Sequence, residues 1–179
     1  MKIQFLALAA AVLLLFSFIA CSPKSDKAAA SVSEETADDE KLKIVTYNGK
    51  PISPLLGNSR NEIIKAMGTP LGTCGTEPPS RLSYDGIHFW FDDDALVRIE
   101  TFNPSALALG EDTLNKSRAE LIKLYGNPAK EFWGDDAGYG PANTYTIIYA
   151  SNLSHCLISL YFADPDSTPW GADIHKIIR

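Results

Sequence analysis

The chain lacks the local spacings that announce common chemistries. No His-Glu-x-x-His, Gly-x-Ser-x-Gly or paired-thiol motif occurs, and the three histidines, His88, His155 and His175, stand at no metal-ligand spacing. Local sequence therefore assembles no catalytic centre; neither an enzyme nor a bound cofactor or metal is expected. Asp92, Asp93 and Asp94 lack the spaced acceptors and the Glu of a calcium loop and read as a polar hairpin turn. Gly138-Tyr139-Gly140 lacks the strand-to-helix setting of a nucleotide fingerprint. Basic runs longer than a pair of residues are missing, and the net charge is -6. Neutralising phosphates needs clustered Lys and Arg, so nucleic-acid binding is excluded.

Long apolar runs are scarce too. The one that exists, Phe5 to Ala20 behind Met1-Lys2, is short for a spanning helix of roughly 20 residues and of the right order for an export signal. The residues Phe18-Ile19-Ala20-Cys21 that close it resemble the bacterial lipobox. That resemblance implies a lipoprotein signal peptide over 1–20, acylation of Cys21, and tethering to a lipid bilayer of the cell envelope, on its periplasmic or extracellular side. Two or more acyl chains hold a protein stably at a membrane without embedding it. Residues 21–40 hold no aromatic residue, and Val32 is their only large aliphatic one. Such a stretch cannot bury enough apolar surface to offset its ordering entropy and reads as a disordered tether.

What the chain has is a repeated segment. Ser59-Arg-Asn-Glu-Ile-Ile-Lys-Ala-Met-Gly-Thr-Pro70 returns as Ser117-Arg-Ala-Glu-Leu-Ile-Lys-Leu-Tyr-Gly-Asn-Pro128. Each copy opens on a capping box, Ser59-x-x-Glu62 and Ser117-x-x-Glu120, and closes on Gly and Pro, which specifies a short helix with both ends signalled. Alternating extended segments follow each one: Arg81 to Tyr84, Ile87 to Phe91 and Leu96 to Phe102, then Tyr145 to Tyr149, His155 to Phe162 and Ala172 to Ile178. A further strand over Leu42 to Tyr47 stops at the Asn48-Gly49 turn. The expectation is an α+β fold of two tandem helix-plus-antiparallel-meander repeats, over 41–104 and 105–179, with the helices packed on one sheet face.

A capped helix closing on Gly-x-Pro before an antiparallel meander, behind a lipobox and a spacer, resembles the SmpA/OmlA-type small outer-membrane lipoproteins. Its tandem form is similar to the β-lactamase-inhibitor-protein-like fold. The likeness covers roughly Asn48 to Ile178 and implies a protein-binding role; it transfers no binding residues.

Strand alternation supplies the site hypothesis. With Ile87, Phe89 and Phe91 inward, His88 and Trp90 face outward; Arg98 and Glu100 join them, and Tyr161 takes the position matching Trp90. Aromatic and Arg side chains dominate binding hot spots, so this face reads as an interface centre, or else as aromatics covering the sheet and the seam between copies. Between Lys130 and Asn143 a Gly-rich segment carries Trp133 and Tyr139, either as a specificity loop or as a solvent loop with Trp133 folded back. Cys74 and Cys156 either form a disulfide between copies or stay a loop thiol and a buried strand thiol. The function expected is an envelope lipoprotein that binds a protein partner, as an inhibitor, immunity protein or assembly accessory. The alternative is a lipoprotein binding a small ligand or cation in the cleft between copies.

Overall fold

The computed structural model describes residues 42, 44–134, 142–151 and 155–177, all within one compact unit, Glu34–Arg179. Cys21, the 1–20 signal and 21–40 tether assignments, and Tyr139 fall outside the described residues.

Both repeated segments fold as their caps dictate. Helix α1 spans Arg60–Met67 and α2 spans Arg118–Tyr125. In each, the N-cap Ser accepts from the backbone N–H of Glu62 or Glu120, whose carboxylate accepts from the Ser backbone in return. Gly68 and Gly126 stop them at φ 93° and 80°, a region where a Cβ is penalised. A tyrosine latches each stop: Tyr84 Oη donates to the Gly68 carbonyl (3.0 Å) and Tyr149 Oη to that of Gly126 (3.3 Å). The repeated Arg also has one job in both copies. Arg60 bonds Asp94 at 2.7 Å, and Arg118 forks onto Glu131 at 2.5 and 2.7 Å, tying each helix start to the chain that follows it.

The strands are β1 (Val45–Tyr47), β2 (Lys50–Pro51), β3 (Gly72–Cys74), β4 (Arg81–Tyr84), β5 (Ile87–Asp92), β6 (Ala95–Thr101), β7 (Leu107–Leu109), β8 (Asp112–Thr113), β9 (Lys130–Trp133), β10 (Tyr145–Ser151), β11 (Cys156–Phe162) and β12 (Pro169–Lys176). They form an eight-stranded antiparallel sheet, β3-β4-β5-β6-β12-β11-β10-β9, and a four-stranded one, β2-β1-β7-β8. Asn48 and Gly49, both at positive φ, make the tight β1–β2 turn.

This overturns the α+β expectation of two helix-packed repeats. The chain is mostly β: α1 buries only Ile63, and α2 only Leu121 and Tyr125. Two-turn helices with so little buried surface cannot form a covering layer. Nor do 41–104 and 105–179 stand as separate units, because pairing crosses between them twice, β1 with β7 and β6 with β12. The inner face of the large sheet shows a continuous row, Leu82-Phe89-Ile99-Ile174-Ile158-Tyr149, each directly opposite the next. That row shares one core with Val45, Tyr47, Leu107 and Leu109 of the small sheet. Burying the large sheet against the small one leaves its other face to meet solvent.

Candidate functional site

The outer face carries the complementary row, Arg81-Trp90-Arg98-His175-Leu157, and beside it Ser83-His88-Glu100-Asp173-Ser159-Ile148. The pleat brings these side chains together because residues two apart on a strand share a face. At the β6–β12 seam they lock into one charged network. Arg98 Nη2 donates to Glu100 Oε1 and to Asp173 Oδ2, both at 2.8 Å. Trp90 Nε1 donates to Glu100 Oε2 at 3.0 Å, and His88 Nδ1 lies 3.4 Å from the same oxygen. Tyr161 Oη donates to Asp173 Oδ2 at 2.7 Å, with His175 Nε2 at 3.4 Å. The Trp90 ring lies between two guanidinium groups, 5.0 Å from Arg81 and 5.8 Å from Arg98.

Asp173 is only 2% exposed. Burial pushes its carboxyl pKa up, but hydrogen bonds from His175 and Tyr161 and the Arg98 charge outweigh burial and hold it below the usual value. It is a buried carboxylate. Burial, then the charge of Asp173 and the hydrogen bond to it, push the Tyr161 phenol far above its ordinary range, so its hydroxyl remains a donor.

Beside this network the face is hollowed into a cleft of about 490 Å³. Its polar side is Arg98, Glu100, Asp173 and His175, with Tyr161 between. Its apolar side is Phe102, Trp170, Leu157, Ile148 and Phe132. Phe102 and Trp170 stack at the rim, 3° from parallel with centroids 6.2 Å apart, and both remain exposed. Among the described residues four side-chain polar atoms are buried without a hydrogen-bond partner: Arg81 Nε, Arg98 Nε, Thr146 Oγ1 and Asp173 Oδ1. Three of them belong to residues lining this cleft. A second hollow of about 270 Å³, walled by Tyr47, Met67, Leu71 and Tyr84, has no such atom among its residues. Unsatisfied buried groups in a native fold call for a reason, and a binding site is one.

The sequence-derived site residues separate in the structure. His88, Trp90, Arg98 and Tyr161 share the outer face, but only Arg98 and Tyr161 line the cleft. Tyr161 is a largely buried part of it, 8% exposed, and not a protruding anchor. Trp133 stands apart on edge strand β9, half exposed, its ring 5.5 Å from that of Tyr145. No disulfide joins Cys74, which is exposed, to Cys156, which is buried. They occupy β3 and β11, five strands apart in the sheet, and neighbouring strands lie about 4.8 Å apart; no bridge reaches across. Asp173, Trp170 and Thr146 were not singled out from sequence, and Phe132 entered only as part of the 130–143 segment. The signal for Asp173 was present in the alternation Gly171-Asp173-His175 against Ala172-Ile174, which places a lone acid among outward residues in mid-strand. Among the described residues no group of three or more His, Cys, Asp or Glu is placed to hold a metal.

No protein-family model matches the chain, and no curated protein does. Two solved structures are similar to it. One is an extracellular protein containing a SCP domain from Bacillus anthracis, 10% identical, with 70% of this chain and 45% of that one covered at a TM-score of 0.47. The other is a DUF4309 family protein, YjgB, from Bacillus subtilis, 14% identical, with 66% and 78% covered at a TM-score of 0.46. The chain thus spans less than half the length of the first. No helix among the described residues is long and apolar enough to cross a membrane, which says nothing of a β-barrel.

Proposed function

We propose that this chain is an exported binding protein of the cell envelope, held at a bilayer through acylated Cys21, and that it takes a small ligand with an apolar body into the outer-face cleft. One observation carries the reading: among the described residues, three of the four buried polar atoms left without partners belong to residues lining the cleft, and none belongs to a residue of the second hollow. Apolar walls with a few convergent polar groups are the usual make-up of a ligand site. Catalysis has less support, because the carboxylates are already engaged by Arg98, Trp90 and Tyr161 rather than held ready for a proton.

The test is a fragment screen read by thermal stabilisation, since whatever binds only the folded state raises its midpoint. Leu157→Lys puts a charged stem into the cleft and is expected to abolish stabilisation by the hits. Leu71→Lys, in the second hollow, is expected to leave it. The reverse pattern removes the cleft reading. The tether is checked separately by mass spectrometry of the mature N-terminus, where a diacylated Cys21 is expected and a free thiol there refutes it.

A protein partner is the second reading, favoured by the exposed stacked pair Phe102 and Trp170 at the rim. It requires that a partner found by cross-linking to the intact chain be lost on Phe102→Ala with Trp170→Ala.

A further inference from the structure

The ligand class can be narrowed from the charges and free valences of the cleft; this step rests on the cleft being the binding site. Its lining contains two carboxylates, Glu100 and Asp173, against one guanidinium, Arg98. The three donors facing Asp173, from Arg98, Tyr161 and His175, all converge on Oδ2, and Oδ1 is left buried with none. An ionised carboxylate accepts through both oxygens, so half of the capacity of Asp173 is unused. Thr146, 1% exposed, adds an unpaired hydroxyl on a strand that also lines the cleft. Against these stand aromatic faces: Trp170 stacks on Phe102, and Tyr161 lies 5.7 Å from Trp170.

An anion entering here meets the excess negative charge, and the one guanidinium of the lining already bridges both carboxylates through Nη2, which leaves its unpaired Nε as a single donor against two acids. A wholly apolar ligand fills the walls but leaves the orphan acceptor unpaired. A hard metal ion needs several free oxygens at once, and those of Glu100 already accept from Arg98 and Trp90. We infer that the cleft recognises an organic cation, an ammonium or guanidinium group on an apolar stem, with the charge toward Asp173 and Glu100 and the stem against Trp170 and Phe102. Charge attraction by the carboxylates and cation–π attraction by the rings then act on the same group. The same chemistry is offered by a free amine and by a Lys or Arg side chain of a peptide.

The experiment uses the full chain in neutral detergent and four probes: 2-phenylethylammonium, its uncharged counterpart 2-phenylethanol, phenylacetate, and capped lysine methylamide. Calorimetry is expected to show 2-phenylethylammonium binding at least about tenfold more tightly than 2-phenylethanol, and phenylacetate not at all. Rising salt is expected to weaken the amine and spare the alcohol. Glu100→Gln, which keeps a side chain of the same shape on Trp90 and Arg98, is expected to weaken the amine several-fold and leave the alcohol unchanged. Should the alcohol or phenylacetate bind as well as the amine, the cation preference is overturned while the cleft reading stands. Absence of binding by all four probes at millimolar concentration overturns both. Capped lysine binding above 2-phenylethylammonium assigns the source as a protein side chain, and the opposite order assigns a free amine.

Discussion

Arg98 and Asp173 are joined across the seam where β6 meets β12, Nη2 to Oδ2 at 2.8 Å, one partner about a third exposed and the other sealed from solvent. The asymmetry decides what removal does. Arg98→Ala leaves a buried carboxylate with only Tyr161 and His175 beside it, and is expected to lower unfolding free energy by about 2 kcal/mol, under the ~3–5 of a wholly buried pair because Arg98 is partly hydrated. Asp173→Asn, which removes the charge, is expected to cost less. Urea midpoints of the single and double variants check both, and the double is expected to be milder than the sum.

The acid limb of stability follows from the same carboxylate. Its folded pKa is depressed, so its contribution is fully present above the unfolded value of about 3.9 and is lost as pH falls through the folded one. The groups facing it are Arg98 and Glu100 from β6, Tyr161 from β11 and His175 from its own strand. Asp173→Asn is expected to flatten the fall in urea midpoint below about pH 4 while lowering the midpoint at neutral pH.

The tyrosine latches on the helix stops give a graded pair. Tyr149 is fully buried, and Tyr149→Phe leaves the Gly126 carbonyl short of its donor, at an expected cost of about 1 kcal/mol. The Tyr84 bond to Gly68 is exposed, so water replaces it and Tyr84→Phe is expected to cost a few tenths at most. Chemical denaturation of both variants makes the comparison.

Thiol chemistry distinguishes the two cysteines. With Cys21 changed to Ser, a disulfide-exchange reagent is expected to modify Cys74 in the folded protein and Cys156 only after unfolding, since one is exposed and the other wholly buried. A folded chain with neither thiol reactive, and both released by reductant, contradicts the structure.

Much of the fold was legible where local chemistry decides it. The Ser-x-x-Glu boxes and Gly stops place both helices because a cap is satisfied within a few residues of itself. Strands β4, β5 and β6 show in the alternation around Asp85-Gly86 because their inner face is buried and their outer face is not. The short strands β3, β7, β8 and β9 did not show: Gly72-Thr-Cys and Leu107-Ala-Leu are extended by their partners, not by their own composition. The class went wrong for a related reason. Well-capped helices are loud in sequence whatever area they bury, and these two bury little. Within the site, outward facing was legible for His88, Trp90, Arg98 and Tyr161. The cleft was not, because depth depends on which strands become neighbours, and only β6 beside β12 brings Arg98 to Asp173.

Strand β1 reaches across to β7, with Val45 opposite Leu109 and Tyr47 opposite Leu107. Genetic trimming of the N-terminal residues therefore has a hard limit. A recombinant version beginning after Tyr47 strips Leu107 and Leu109 of their β1 partners and uncaps the core from one side. Soluble production should start upstream of Leu42, which is itself fully buried.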